Sequence, residues 1–295
     1  KEFKQFTAKA LDRNELAGNY ITDLCDDGSN NLWIATRTGL SVYNYHSGKF
    51  SSYLSYFSPE IPSDDVVSLS CDKDRVWVGT VGSGVYSVSY VERKITTYKQ
   101  SFGLHVLAMA YTDTAVYLAT VKGLYKQLKT KPTLIELSKD SIQSLEISGD
   151  ELLVGRVDGW LDSYIIKNEL FERRLHTRIL PHSDNSISAI LSHNDVFWIG
   201  TNKGIFVLNN AGEVVESYTN NPLNPKSLNE EIILSLLIDN RGNTWVGTES
   251  TGISFLNNKS KQLGHINKHS YLNAPLLHDD VRGFTLDNLN RLWIN

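Results

Sequence analysis

Apolar and polar positions along this chain repeat with one long period. Each period opens on a polar residue, any residue and then an aliphatic: Asn19-Tyr20-Ile21, Asp64-Asp65-Val66, His105-Val106-Leu107, Asp140-Ser141-Ile142, Asn185-Ser186-Ile187, Glu230-Glu231-Ile232 and Asp279-Asp280-Val281. An anchor follows 10 to 13 residues later, at Trp33, Trp77, Tyr117, Leu153, Trp198, Trp245 and Trp293. Successive anchors are 44, 40, 36, 45, 47 and 48 residues apart. A period in this range marks a repeat architecture. After the anchor comes a glycine turn (Gly39, Gly84, Gly123, Gly159, Gly204, Gly252), then an apolar third strand such as Ile205-Phe206-Val207-Leu208, then a more polar fourth such as Lys49-Phe50-Ser51-Ser52-Tyr53. Short runs with period-two alternation or continuous apolarity read as strands, and no helical period of useful length is present.

Four short antiparallel strands per unit predict an all-β fold, a seven-bladed β-propeller with four-stranded antiparallel blades. The units span about 19–55, 64–100, 105–137, 140–175, 185–220, 230–266 and 279–295 plus 1–8. The polarity gradient places the first strand inside, enclosed on both faces as Ile232–Ile238 suggests, and the fourth in water. The last unit shows only two strands, so Glu2-Phe3-Lys4-Gln5-Phe6 is expected to supply its outer strand and leave the closing blade incomplete. The whole of 1–295 reads as one propeller domain, expected to be a fragment of a longer chain. Alternating connections put the glycine turns and the fourth-to-first loops on one face, the upper. The Asp-x-x-Gly-Asn turns lie on the lower face.

The motifs resemble the two-component regulator propeller repeat: Asp26/Asp27 through Asn31-Leu32-Trp33-Ile34-Ala35-Thr36, Gly39-Leu40, Tyr43 and Gly48-Lys49-Phe50, and again Asp239 through Thr248. The third and fourth units depart from it, with Tyr117 and Leu153 in place of tryptophan. Such repeats are typical of extracytoplasmic sensor regions of hybrid two-component systems in Bacteroides-type bacteria. There, tandem propellers precede an immunoglobulin-like domain, a membrane span and a histidine kinase, and the sensors respond to oligosaccharides. The resemblance implies a periplasmic sensor propeller, with a neighbouring propeller and an immunoglobulin-like domain of the same chain as partners. It also implies a homodimer in the full receptor, an oligosaccharide ligand, and any kinase activity outside this domain.

A net charge of −4 with evenly spread Lys and Arg argues against nucleic acid as partner. No apolar run approaches the roughly 18 residues needed to span a bilayer, so membrane attachment would come through other segments. The two cysteines, Cys25 and Cys71, occupy like positions in successive units and are expected to be buried free thiols.

The Asp-x-x-Gly-Asn segments superficially resemble calcium loops but lack the closing glutamate, and turn chemistry accounts for them. Ser183-Asp184-Asn185 lacks the companions of a serine-hydrolase signature. His265 and His269 lie in a strand-to-loop segment, not a helix that would face both at one metal. A propeller lyase or hydrolase is the rival reading, and would need upper-face His105, His278 and Glu249 to cluster. A protein-interaction platform is a third. No catalytic residue, metal or cofactor is expected.

The anchor tryptophans sit at one repeat position and read as core. Trp160 differs. It follows Gly159 where other units place Leu40, Val85, Leu124, Ile205 and Ile253, and it is flanked by Asp158 and Asp162. With the upper-face turn residues Arg37, Lys122, Arg156, Asp158, Asn202, Lys203 and Glu249 it forms the expected ligand-binding set. An indole can stack on a sugar face while carboxylates and guanidinium groups fix its hydroxyls.

Overall fold

A computed structural model describes residues 4–8, 13–167, 170–180, 185–224, 226–260, 262–270 and 276–295. Six four-stranded antiparallel sheets follow one another in sequence. Blade one comprises β1 (Ile21–Asp26), β2 (Asn31–Thr36), β3 (Gly39–Asn44) and β4 (Lys49–Tyr53). Blade two comprises β5 (Val66–Cys71), β6 (Arg75–Thr80), β7 (Val85–Ser89) and β8 (Ile95–Thr97); blade three, β9 (Val106–Tyr111), β10 (Ala115–Thr120), β11 (Gly123–Leu128) and β12 (Leu134–Ser138). Blade four holds β13 (Ile142–Ser148), β14 (Glu151–Arg156), β15 (Trp160–Ile165) and β16 (Glu172–Arg178). Blade five holds β17 (Ile187–His193), β18 (Val196–Thr201), β19 (Gly204–Asn209) and β20 (Val214–Tyr218). Blade six holds β21 (Ile233–Ile238), β22 (Thr244–Thr248), β23 (Ile253–Leu256) and β24 (Leu263–Ile266). A two-stranded hairpin, β25 (Phe284–Leu286) and β26 (Leu292–Ile294), ends the chain.

The blade count is therefore six, not the seven expected. The seventh copy of the repeat reaches only hairpin size. Of the segment expected as its outer strand, Lys4, Gln5 and Phe6 are not in a strand, and Glu2 and Phe3 lie outside the described residues. Phe6 is used differently. Its ring stacks on Trp293 at 5.9 Å and packs against Tyr43 and Phe50 at 5.2 and 5.5 Å. Large apolar rings gain more by burial in this cluster than by lying on a sheet edge.

Two compact units emerge, one of Gln5–Ser141 with Thr285–Asn295, the other of Ile142–Phe284 joined by Lys4. In each, the second and third strands form the core. Leu32, Trp33, Val76, Trp77, Leu118, Leu153 and Leu161 are fully buried. The first strands, expected to be the most enclosed, are less buried than the second strands: in β21 only Ile233 and Ser235 are buried, although β5 keeps Val66, Ser68, Leu69 and Ser70 inside. Trp33 and Trp77 behave as core anchors, whereas Trp198, Trp245 and Trp293 are half-buried. The indole nitrogens of Trp245 and Trp293 donate to Asp239 and Asp287, six residues earlier, at 3.1 and 2.9 Å. The other oxygen of each Asp accepts two backbone N–H groups of the turn at 2.9 Å. The Asp-x-x-Gly-Asn motif is thus a self-capped turn tied to its own anchor.

Neighbouring blades are stitched by one recurring device. A hydroxyl near the start of five first strands, all but β9, donates to a carbonyl of the next blade or hairpin: Thr22 to Val66 (2.8 Å), Ser68 to Val106 (2.9 Å), Ser144 to Ile187 (2.8 Å), Ser188 to Ile233, and Ser235 to the Val281 segment (3.2 Å). The glycine two residues after the anchor makes room for that approach. A Cβ on Gly79 would sit 2.9 Å from Val106 Cγ1, and one on Gly155 2.6 Å from Ile187 Cγ2. The aliphatic equivalent to Ile21 and Val66 in blade six is Ile233, one residue beyond the Ile232 expected. A β-bulge between Ile233 and Ser235 matches the bulges at Ile21/Asp23 and Val66/Ser68 and fixes that phase.

The cysteines also depart from expectation. Cys25 and Cys71 are joined in a disulfide with Cα atoms 5.9 Å apart. They occupy matching places near the ends of β1 and β5, and adjacent first strands stay close enough there to be bridged.

Candidate functional site

The upper-face turn between second and third strands is built by one side chain in five of the six blades. A threonine ends the second strand and its Oγ1 donates to the carbonyl of the glycine that faces it: Thr36 to Gly39 and Thr80 to Gly84 at 2.8 Å, Thr120 to Gly123 and Thr201 to Gly204 at 2.9 Å, Thr248 to Gly252 at 2.8 Å. The same oxygen accepts a turn N–H, as from Lys122 at 3.1 Å and Lys203 at 3.0 Å.

Blade four breaks the rule at both positions. Arg156 stands where the threonine belongs. The register pairs Gly155 with Leu161, as Ala35 pairs with Leu40 and Gly200 with Ile205. Leu161 is therefore the counterpart of Leu40, and Trp160 stands in for the turn glycine, one position from the expected alignment. The turn is as long as that of blade two, where Gly79 pairs with Val85 directly after Gly84, but in blade four the glycine falls one residue earlier, at Gly159. The Thr–Gly pair has been exchanged for Arg–Trp.

The exchange builds a charged cluster on one sheet face. Arg156 grips Asp158 with two hydrogen bonds, Nε to Oδ1 at 3.0 Å and Nη2 to Oδ2 at 2.8 Å. Its Nη1 lies 3.6 Å from Asp162 Oδ2. Asp162 is buried, and its Oδ1 lies 2.6 Å from His176 Nδ1, with Arg173 4.0 Å away. Trp160 and Asp162 alternate on β15 opposite Arg178 and His176 on β16. The indole stacks on the His176 ring at 4.0 Å and 4° and has the Arg178 guanidinium 5.7 Å from its centroid. Burial alone would raise the Asp158 pKa. The hydrogen bond and charge of Arg156, with backbone N–H donors including Trp160, instead hold it below the usual carboxylate range. The cluster presents a bidentate guanidinium, an ionised carboxylate and an indole that stacks on His176 with Arg178 over its ring.

The remaining expected residues lie elsewhere and are mostly occupied. Arg37 pairs with Asp65 at 2.8 Å and lies over Tyr20, and Lys122 Nζ donates to the Gly103 carbonyl at 3.0 Å. In the other unit, Lys203 Nζ reaches Glu231 at 3.0 Å, and the Glu249 N–H donates to Ile232 O at 3.4 Å. These two flank the start of β21, and Asn202 precedes Lys203 in its turn. Arg156, Asp158 and Trp160 form the only group of the expected set that converges on shared contacts among the described residues. His176, Arg173 and Arg178 are not among the expected residues, and Asp162, expected only as a flank of Trp160, is the buried centre of the cluster. The threonine missing at position 156 is the sequence signal that could have exposed them. Among the described residues no group of three or more His, Cys, Asp or Glu side chains gathers to hold a metal. No helix among them is long and apolar enough to cross a membrane.

The profile of the family described as "Two component regulator propeller" matches residues 15–38 and 227–250. Those segments run through the anchor strands of blades one and six. No curated protein shows a significant match. Among solved structures, the extracellular domain of BT4673 from B. thetaiotaomicron, described as a hybrid two-component system, is similar over 93% of this chain and 44% of its own, at 17% identity and a TM-score of 0.62. The extracellular domain of BT3049 from the same organism, described likewise, aligns over 99% of this chain and 45% of its own, at 21% identity and a TM-score of 0.50. The chain spans less than half the length of either. The WD40 β-propeller domain of Doa1 aligns over 99% of this chain and 94% of its own at 10% identity, with a TM-score of 0.73. At these identities the likeness speaks for the β-propeller fold.

Proposed function

From a chain that carries two-component regulator propeller repeats, we propose an extracytoplasmic ligand-sensing module of a hybrid two-component histidine kinase. It binds an oligosaccharide in the periplasm and passes occupancy to a kinase elsewhere in the receptor. The module itself is non-catalytic. Neighbouring propeller and immunoglobulin-like domains, and a second receptor copy, are the partners through which binding is read. A ligand shifts such an assembly only by differential affinity for its states.

The observation that carries this reading is the joint replacement of Thr–Gly by Arg156–Trp160. Five blades keep a pair that needs nothing but turn geometry. Blade four gives it up for a guanidinium, a carboxylate and an indole at the same turn, the groups that fix and cover a sugar ring. The test is calorimetric titration of the purified domain, with EDTA present, against neutral and acidic oligosaccharides. Saturable binding is expected, weakened at least tenfold by Trp160→Ala and by Arg156→Ala. Affinity for a bound glycan untouched by either substitution would remove blade four from the reading.

A further inference from the structure

Opposite the blade-four turn, on the lower face of the same unit, a groove of about 740 Å³ runs between blades four and five. That size lies within the range of small-molecule sites, about 300–1,000 Å³. The β13–β14 turn contributes Ser148 and Glu151, the end of β17 Ser192 and His193, β16 Arg174, and the β19–β20 turn Asn210. The β17–β18 hairpin contributes Asn194 and Asp195.

Two features mark the groove as built. The first is its hairpin. His193 pairs with Val196, so Asn194 and Asp195 form a two-residue loop, and both carry positive φ, 50° and 62°. Such a turn is ordinarily made with glycine at its second position. Here both places carry polar side chains that stand exposed beside the groove. The second is a fixed guanidinium. Arg174 Nε donates to Glu151 Oε1 at 2.6 Å and Nη1 donates to Asn210 O at 2.7 Å. Two of its five N–H groups are thereby engaged. Ser148 and Ser192 share a hydroxyl–hydroxyl contact at 2.8 Å, and Asn194 Nδ2 lies 2.9 Å from His193 Nε2.

The chemistry of this lining selects its ligand. Hydroxyls and amides both donate and accept, Asp195 accepts only, and Arg174 donates only. A molecule carrying several vicinal hydroxyls satisfies such a mixed set. A carboxylated or sulfated one meets Glu151 and Asp195 with a single, already paired guanidinium to offset them. We propose that this lower-face groove is a second subsite and binds a neutral sugar ring through Asn194, Asp195, Arg174 and the Ser148–Ser192 pair. The inference rests on the glycan-sensing reading and adds to it a place and a charge class.

The test titrates the domain with maltohexaose, xylohexaose and mannohexaose, using hexagalacturonate as the charged counterpart. The variants are the double replacement Asn194→Gly with Asp195→Gly, which removes both side chains and keeps the left-handed turn, and Asn210→Trp, which fills the mouth. Binding of a neutral oligosaccharide weakened at least tenfold by both is the expected result. Neutral binding that only Trp160→Ala weakens, or binding of hexagalacturonate alone, overturns the groove and leaves the sensor reading standing. Failure to bind any of the four up to millimolar concentration overturns both.

Discussion

Glu146 on β13 shows how one residue writes a pH dependence into this fold. Burial pushes its carboxyl up to about 7, although a backbone N–H from Ser192 of the next blade opposes the shift. Asp23 on β1 repeats the arrangement. Burial pushes it up to about 6 against N–H donors from Leu69, at 2.7 Å, and Leu24. A carboxyl whose folded pKa is raised binds its proton more tightly in the folded state. Stability is therefore highest below the unfolded pKa and declines as pH rises through the folded value. For Glu146 that window runs from about 4.5 to about 7. Glu146→Gln keeps an acceptor for Ser192 and cannot ionise. Between pH 5 and 8 the wild type should lose more stability to urea than this variant, and above pH 7 the variant should be the more stable. Parallel curves across that range would show that Glu146 titrates normally.

Among elements, the contact between one blade's anchor strand and the next blade's first strand is the most sensitive to volume. Gly79, Gly155 and Gly200 each face a β-branched aliphatic of the following blade at less than 3 Å from where a Cβ would lie. Gly79→Ala is expected to destabilise by about 2 kcal/mol, the range of overpacked cores. Gly264 in β24 has nothing within 4 Å of its Cβ position, and Gly264→Ala should be neutral or slightly stabilising. Equal effects at both sites, measured by chemical denaturation, would show that the blades do not close on those glycines. The elements themselves were legible in the sequence, because the anchors, glycine turns and alternating outer strands each have a local cause. What escaped was relative placement. Trp160 aligns with Leu40 by local pattern because both follow a glycine, but the blade-four glycine falls one residue earlier than Gly84 in a turn of equal length, and only pairing sets the register. Asp162 and His176 meet across strands twelve or more residues apart in the chain, and no local pattern announces such a pair. The seventh repeat was counted from its anchor Trp293, whereas a blade requires four paired strands.

At the scale of the molecule, one covalent link bears on one unit. The Cys25–Cys71 bond closes a loop of 46 residues within the unit formed by Gln5–Ser141 and Thr285–Asn295. Loop-closure entropy for that length contributes about 4 kcal/mol. The other unit contains neither cysteine and has its own buried strands. Denatured without reductant, the protein should present no reactive thiol, and a periplasmic location would allow the bond to persist. Cys25→Ser with Cys71→Ser should lower the melting point of the first unit by about 12 °C, given roughly 2.1 cal/mol/K of unfolding entropy per residue. If the whole chain melted as one, the larger entropy would dilute the shift to about 6 °C. Calorimetry with hydrogen exchange separates the cases. The expected result is lost protection in blades one and two, with Ile142–Phe284 unchanged. A single transition moving by the smaller amount, with protection falling evenly along the chain, would show that the two units share one cooperative stability.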